Sequence, residues 1–215
     1  MILRKSIVYL TIILLALISF SCESENTLTP TVSIEREQLL NSIVKHKESA
    51  FEVYPRAKEE AKRWNDQAIL YQIPPTRLME GNFGLSGGGP PGWFFMFKDP
   101  DSPVELFVEI VDGKLYGKTE AQPIIIGEPK YKLNPIEMDS NLLDSDDALN
   151  IYLDDGGDEF FLNNPDVELD YRLVFLEGIE HPIWSIFDVS DFTTPLYNVD
   201  AITGEKTTNP YQSVE

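Results

Sequence analysis

The chain has little cysteine, little histidine and few basic residues. Its 215 residues include one cysteine, Cys22, and two histidines, His46 and His181. A single cysteine excludes an intrachain disulfide and a cysteine-based metal site, and two histidines argue against a histidine-rich one. Only 17 lysines and arginines stand against 36 aspartates and glutamates, for a formal net charge of −19. Because this field repels phosphate backbones and anionic headgroups, we expect no nucleic-acid partner.

One long apolar run lies at the N-terminus. It extends from Ile7 to Phe20, follows the basic pair Arg4-Lys5 and ends just before Cys22. A short basic start followed by such a run is typical of a secretory signal. Its removal takes away two positive charges and no acid, so the net charge falls from −19 to −21 in the mature chain. That acidity favours solubility and, at most, cationic or divalent partners.

The position of Cys22 resembles that in a bacterial lipoprotein signal, in which the cysteine is lipidated and becomes the first mature residue. Ser19 and Phe20 depart from the usual lipobox, which has an aliphatic residue three places before the cysteine and a small one two places before it. The alternatives are an ordinary cleaved signal and an uncleaved anchor helix, which would need about 20 apolar residues to cross a bilayer. We predict a signal peptide at 1–21, lipidation of Cys22 and a polar tether at 22–32.

Two helices are predicted in the first half of the mature chain. Apolar residues from Ile34 to about Val53 recur at helical spacing, and Ser33 is available as an N-cap. Pro55 fits the first turn of a second helix, which Pro74-Pro75 would end. The apolar stripe of this second helix consists of Ala57, Ala61, Trp64, Ala68 and Tyr71.

Strands are predicted from Arg77 onward, where the apolar period shortens. Arg77–Phe83 has the composition of a strand, Trp93–Lys98 is a nearly continuous apolar run, and Val104–Ile110 alternates apolar and acidic residues. Asp112-Gly113 is typical of a tight hairpin turn into Lys114–Tyr116. We expect these segments to form an antiparallel sheet with one face on the helix.

The second half repeats this order. A helix starting at Asp144 or Ser145 is predicted to continue through Gly156-Gly157, at a cost of about 1 kcal/mol per glycine, because Phe160–Leu162 need a surface to bury against. Three strands follow, at Leu169–Phe175, Pro182–Phe187 and Leu196–Ala201.

Three short matches relate the two halves in the same order. They pair Asp66-Gln67-Ala68 with Asp146-Asp147-Ala148, Pro91-Gly92-Trp93 with Pro182-Ile183-Trp184, and Val111-Asp112-Gly113 with Val199-Asp200 and the nearby Gly204. Each half is therefore predicted to be a helix followed by an antiparallel meander.

The second half resembles a PepSY domain, above all in Pro182–Phe187 followed by Tyr197–Glu205. The resemblance covers Ser145 to Lys206 well and Ala57 to Gly117 weakly, since Asp112-Gly113 replaces a longer turn. PepSY domains occur in propeptides of secreted metallopeptidases and in many exported bacterial proteins. The chain is similar overall to the PepSY-like, β-lactamase-inhibitor-like lipoproteins of Bacteroidetes.

The resemblance implies secretion, an α+β fold and a role in restraining or binding peptidases, with no catalytic residue and no cofactor. We predict two tandem PepSY-like modules: 33–120, with an extra N-terminal helix, and 144–206. Segment 121–143 connects them, with Ile124–Ile126 as a possible edge strand, and 207–215 is a tail. The residues expected to carry the structural motif are Trp93, Asp112, Gly113, Trp184, Asp200, Thr203 and Gly204.

Three features are candidates for a catalytic or metal site. Gly84–Gly88 matches the G-x-S-x-G elbow of serine hydrolases, but the glycines and prolines of 89–92 exclude the helix that this elbow requires. Asp154, Asp158 and Glu159 are weak metal candidates in an acidic segment, without the spacing of an EF-hand, and a solvated acidic face is the alternative. His181 is predicted to lie in an exposed hairpin turn.

These observations predict a non-catalytic lipoprotein of the bacterial cell envelope, anchored through Cys22, with the outer membrane favoured and a periplasmic or surface-exposed position. We expect it to bind an envelope protein or peptide, for example a peptidase, through a sheet edge or the loop Ser86–Gly92. A structural component that binds a small ligand or divalent ion is the alternative, and an enzyme using acidic residues is the third possibility.

Overall fold

The computed structural model of the chain describes residues 47–76, 92–122 and 132–211, which belong to one compact unit. Its architecture is α+β, as predicted: an antiparallel seven-stranded sheet and a few helices. In chain order the elements are α1 (Ala50–Trp64), β1 (Ile69–Ile73), β2 (Trp93–Lys98), β3 (Glu105–Val111), β4 (Lys114–Ala121), α2 (Ser145–Tyr152), α3 (Asp158–Asn163), β5 (Leu169–Val174), β6 (Ile183–Asp188) and β7 (Tyr197–Asp200).

The strands of the two predicted modules form one continuous sheet in the order β4-β3-β2-β1-β5-β6-β7. The junction is the antiparallel pair β1 and β5, in which Gln72 lies opposite Val174 and Ile73 lies opposite Leu173. Strand β2 has the predicted bounds, and β3 pairs with it from Trp93 opposite Ile110 to Lys98 opposite Glu105.

Helix α1 begins earlier than predicted and passes through Pro55. Ser49 is its N-cap and forms a capping box with Glu52, so the start of the helix is satisfied locally. Pro55 lies inside the helix, and the predicted break there is wrong. The helix ends at Trp64, where the backbone N–H of Asn65 donates to the carbonyl of Ala61 at 2.8 Å.

The predicted continuation of this helix to Tyr71 is also wrong, because Ile69–Ile73 is strand β1. Asn65 turns the chain: its side-chain Oδ1 accepts from the N–H of Gln67, and its carbonyl accepts from the N–H of Ala68. The residues that follow, Ile-Leu-Tyr-Gln-Ile, suit a strand as well as a helix. Tertiary pairing with β2 and β5 therefore decides the structure of this segment.

The helix predicted through Gly156-Gly157 is broken there. Helix α2 ends at Tyr152, a wide turn occupies Leu153–Gly157, and α3 resumes at Asp158. Gly156 has a φ of +95°, which lies outside the helical region. The continuous helix was predicted because Phe160–Leu162 were expected to be buried. Phe161 is buried, but Leu162 is 75% exposed.

The core occupies both faces of the sheet. On the face that carries α1 and α2 lie Phe95, Phe97 and Trp184, which are all fully buried. On the opposite face Phe94, Met96 and Phe107 form a second cluster, packed against Tyr71, Ala121 and Leu133. Burial on both faces accounts for the continuous apolar run of β2, which alternation alone would not produce.

The hairpin between β3 and β4 turns at Asp112-Gly113, as predicted. Both residues have positive φ, +46° and +65°, which matches the type I′ turn that fits the twist of paired strands.

Several predictions fall outside the described residues. These are the signal and lipidation site at Cys22, the tether, the helix before 47, the strand at Arg77–Phe83, the motif at Gly84–Gly88, the binding loop Ser86–Gly92 up to residue 91 and the strand at Ile124–Ile126. Among the residues that the structure describes, no helix has the length and apolar character needed to cross a membrane.

Candidate functional site

Trp93 and Trp184 make matching contacts in the two halves of the chain. The indole Nε1 of Trp93 donates to the carbonyl of Glu48, and that of Trp184 donates to the carbonyl of Leu143, both at 2.8 Å. Each acceptor directly precedes the N-cap of a helix. The two rings lie 6.4 Å apart in an edge-to-face arrangement. Both tryptophans are thus buried parts of the core, whereas Trp64 is only half-buried.

The N-termini of α1 and α2 meet, and residues at the start of α2 cap α1. The N–H of Ala50 donates to Ser145 Oγ and the N–H of Phe51 donates to Asp144 Oδ1, both at 3.1 Å. These contacts satisfy amide donors at the start of α1, which would otherwise need water or a ligand. The meeting point of the helices is therefore a structural joint.

A surface groove of about 700 Å³ lies beside His181. Three separate stretches of chain form it: the segment before α2, the turn between β5 and β6, and the turn after β7. Its lining residues are Pro135, Glu137, Asp139, Asn141, Leu142, Phe175, Glu180, His181, Pro182 and Ile202.

His181 is held in place by Asp200. Its Nδ1 lies 2.9 Å from Asp200 Oδ2. His181 lies in the turn between β5 and β6, as predicted, and Glu177 and Glu180 of this turn are exposed, but the side chain of His181 itself is only 29% exposed. The other carboxylate oxygen of Asp200, Oδ1, accepts from the backbone N–H groups of Ile202 and Thr203, both at 2.9 Å. Gly204, with a φ of +73°, completes this turn. The predicted motif residues Asp200, Thr203 and Gly204 thus position the histidine.

The ionisation of this pair follows from its contacts. The hydrogen bond to Asp200 raises the pKa of His181, against the opposing effect of partial burial. Partial burial raises the pKa of Asp200, but the hydrogen bonds from Thr203, Ile202 and His181 outweigh it, and the pKa falls below its usual value. The pair therefore favours an aspartate with a protonated histidine over a wider pH range than isolated side chains would.

The groove combines an acidic rim with an apolar floor. Glu137, Asp139 and Glu180 are exposed and form the rim, whereas the floor consists of apolar residues that include the buried Leu142 and Ile202, which is 38% exposed. Glu180 Oε1 lies 3.9 Å from His181 Nε2. None of the lining residues is lysine or arginine, and none is serine, threonine or cysteine. The groove thus offers a negative, amphipathic surface without a hydroxyl or thiol side chain among the described residues.

A second groove, of about 750 Å³, lies beyond the end of α3. It is lined by residues 163–168, by Asp188 at the end of β6 and by part of the β6–β7 connection, including Phe192. Its lining contains acids and amides but no histidine.

The weak metal candidates Asp154, Asp158 and Glu159 lie around the break between α2 and α3. The break places Asp154 in the wide turn and Asp158 in α3, so they do not share one face of a continuous helix as expected. Across the described ranges, no three side chains of histidine, cysteine, aspartate or glutamate gather closely enough to hold a metal ion.

Asp155 in the same turn has a structural role. Its Oδ2 accepts from the hydroxyl of Tyr197 at 2.9 Å and from Lys206 Nζ at 2.7 Å. These hydrogen bonds lower the pKa of Asp155. The break in the helix thus ties α2 to β7 and to the chain that follows it.

The structural-motif residues of the first half form a simpler turn. Asp112 pairs with Lys47 at 3.1 Å, and a Cβ on Gly113 would lie 2.8 Å from the carboxylate end of the flexible Glu48 side chain. Within residues 47–76, 92–122 and 132–211, the histidine–aspartate arrangement around Asp200 therefore has no counterpart at Asp112.

Arg172 was not predicted from the sequence. Its guanidinium lies between two aromatic rings, 4.7 Å from the centroid of Phe187 and 4.4 Å from that of Tyr211. Its Nε is buried without a hydrogen-bond partner, and desolvation lowers its pKa. The alternation of β5 indicates that Arg172 lies on the face of the sheet opposite Leu173. It does not indicate what packs on that face, because Tyr211 is remote in sequence.

The fold and the groove define a class: an α+β protein with one continuous antiparallel sheet and an acidic surface groove. No protein-family model matches the chain, and no curated protein matches it. Among solved structures it is similar to the crystal structure of a candidate lipoprotein from Clostridium difficile 630, with a TM-score of 0.47 and 11% identity. The alignment covers 78% of this chain and 97% of that one. A likeness of this degree transfers neither fold nor function.

Proposed function

We propose that the chain is a non-catalytic binding protein of the bacterial envelope, tethered to a membrane through lipidated Cys22 and built from two PepSY-like halves. The observation that carries the binding role is the groove beside His181, which joins an acidic rim to an apolar floor. The tethering rests on the leader that ends at Cys22.

The PepSY-like organisation is supported by the order of elements and by the tryptophan contacts. Helix α1 followed by β1–β3 matches α2 and α3 followed by β5–β7, and β4 is an additional strand at one edge of the sheet. In each half the second strand carries a tryptophan that donates to the residue before the N-cap of its helix. Such paired contacts favour two related halves over an accidental likeness of short motifs.

The non-catalytic role is supported by the chemistry of the groove. A histidine held by an aspartate acts in hydrolases by activating a serine or cysteine, or a metal-bound water. Among the described residues, no hydroxyl or thiol side chain lines the groove. His181 and Asp200 therefore serve to hold the β5–β6 turn against the β7 turn and to shape the rim.

The ligand that fits is a short extended segment of another envelope protein, such as a peptidase. A groove of about 700 Å³ lies within the range of ligand sites, and its open shape suits a few side chains of an extended peptide. Ile202 and Phe175 provide apolar contacts for the bound peptide, and the acidic side chains of the rim orient it.

The test uses the mature chain with Cys22→Ala and fluorescently labelled, unstructured peptides of alternating leucine and serine with one variable central residue. Fluorescence anisotropy should show saturable binding that Ile202→Ser weakens and Tyr116→Ser leaves unchanged. Tyr116 is a matched control, since it is 51% exposed on β4, outside the groove. Mass spectrometry should find every peptide intact. Binding that is indifferent to Ile202→Ser, or peptide cleavage, would overturn the proposal.

A further inference from the structure

We infer that the groove beside His181 recognises a lysine or arginine side chain of the segment that it binds. This inference rests on the proposed binding function and names the chemistry of its ligand.

The charge of the rim is the first step. Glu137, Asp139 and Glu180 line one groove, and no lysine or arginine lines it with them. The nearby Glu177 has a lysine partner, with Lys132 Nζ at 3.5 Å. Within the described part of the chain, no lysine or arginine forms an ion pair with Glu137, Asp139 or Glu180. Because like charges at the mouth of a cleft focus the field, this rim attracts a cation.

Asp200 is less available to a bound cation than the rim carboxylates are. Its carboxylate accepts from His181 and from two backbone N–H groups, so its hydrogen-bonding capacity is largely used. The three rim carboxylates are therefore the groups available to a ligand. Asp139 is partly occupied, since its Oδ1 accepts from the N–H of Asn141 at 2.8 Å. Glu180 is also partly engaged, since its Oε1 lies 3.9 Å from His181 Nε2. Glu137 is therefore the first contact for a basic side chain, and Glu180 is a second contact that His181 shares.

The apolar floor selects among cations. Lysine and arginine carry a long aliphatic stem beneath the charge, and such stems pack along apolar surface while the charged head stays in polar surroundings. Leu142, Phe175 and Ile202 provide that surface within the same groove as the acids. A small inorganic cation would use the rim alone and gain nothing from the floor. The combination therefore fits a basic side chain better than a free ion.

The test compares three labelled peptides that differ only at the central residue, which is lysine, norleucine or glutamate. Norleucine keeps the aliphatic stem and removes the charge. Each exposed ion pair contributes about 0.2–1 kcal/mol, so two such pairs make the norleucine peptide bind about two- to thirtyfold more weakly, and the glutamate peptide more weakly still. Raising the salt concentration should reduce the preference for lysine, because exposed charges are screened.

Variants of the rim complete the test. Glu137→Gln and Glu180→Gln should each reduce the preference for lysine over norleucine, whereas Glu120→Gln, an exposed acid on β4, should leave it unchanged. If all three peptides bind equally and Ile202→Ser still weakens them, the cation inference fails while the binding function stands. If no peptide binds in the groove, the binding function itself fails.

Discussion

The glycine pair at the break between α2 and α3 permits a sharp test, because two local structures predict opposite signs. In an unbroken helix, glycine is about 0.5–1 kcal/mol less favourable than alanine, so each glycine-to-alanine change would stabilise the protein. In the structure, Gly156 has a φ of +95° and Gly157 packs against Tyr152. Here each change should destabilise the protein instead.

The magnitudes follow from two different causes. A Cβ on Gly157 would lie 2.8 Å from the carbonyl oxygen of Tyr152 and 2.9 Å from its ring, so that atoms must shift. The ring cannot move freely, because it packs 5.0 Å from Tyr197 and 5.9 Å from Phe161. Overpacking of this kind costs about 1–3 kcal/mol. A Cβ on Gly156 would meet nothing within 4 Å, so its cost is the left-handed backbone alone, about 1–2 kcal/mol.

Thermal unfolding of the mature chain, followed by circular dichroism, measures these effects. A loss of 1 kcal/mol lowers the Tm of a chain of this size by about 2–4 °C. Gly157→Ala and Gly156→Ala should therefore both lower the Tm by several degrees. Gly156→Asn should recover part of the loss, because asparagine tolerates positive φ, whereas Gly157→Asn should not. A rise in Tm for both alanine variants would refute the broken helix.

Three further predictions concern other parts of the chain. Trp184→Phe should cost about 1–3 kcal/mol in urea unfolding, because it leaves the partly buried carbonyl of Leu143 without the donor that the buried Trp184 supplies; an unchanged midpoint would contradict this. The pKa of His181 is raised on folding, so its bond with Asp200 stabilises fully below the ordinary pKa of 6.5 and less as pH rises through the folded value. His181→Ala should therefore lower the Tm more at pH 6 than at pH 9, and an equal loss at both would speak against the pair. Cys22→Ala should move the protein from membrane to soluble fractions, which immunoblotting measures; persistence in membranes would exclude lipid anchoring.

Local sequence was sufficient where neighbouring residues alone decide the conformation. Strand β2 has its predicted bounds because an apolar run there is confined between a glycine-rich stretch and Asp99-Pro100. The turn at Asp112-Gly113 was predictable because few residue pairs accept positive φ at both positions. Strand β3 follows from its alternation of apolar and acidic residues.

Local sequence was insufficient where two conformations suit the same residues. Ile69–Ile73 continues the helical spacing of α1, yet it pairs with β2 and β5, and no local signal ranks those pairings above a helix. The glycines at 156 and 157 are compatible with a helix of reduced stability, and the packing of Tyr152 and the bonds of Asp155 decide for a break.

The candidate site could not be predicted from local sequence, because its residues are far apart in the chain. Glu137 and Ile202 are 65 positions apart in the chain, and His181 lies between them, so no motif contains all three. The sequence contains one local indication of the site, the aspartate of the Asp200–Glu205 turn. One oxygen of its carboxylate accepts hydrogen bonds within the turn, so the other can accept from a neighbouring side chain such as His181.

The sequence by itself determined the acidity of the chain and the α+β class, and it predicts a secretory leader, since composition and short-range periodicity suffice for each. Only the tertiary structure decided that the strands of both halves join into one sheet, that the second helix breaks, and that His181 lies in an acidic groove. The physical reason is that strand pairing, side-chain packing and the clustering of charged side chains all depend on distances between segments that are remote in sequence. The spacing of residues along the chain does not specify those distances.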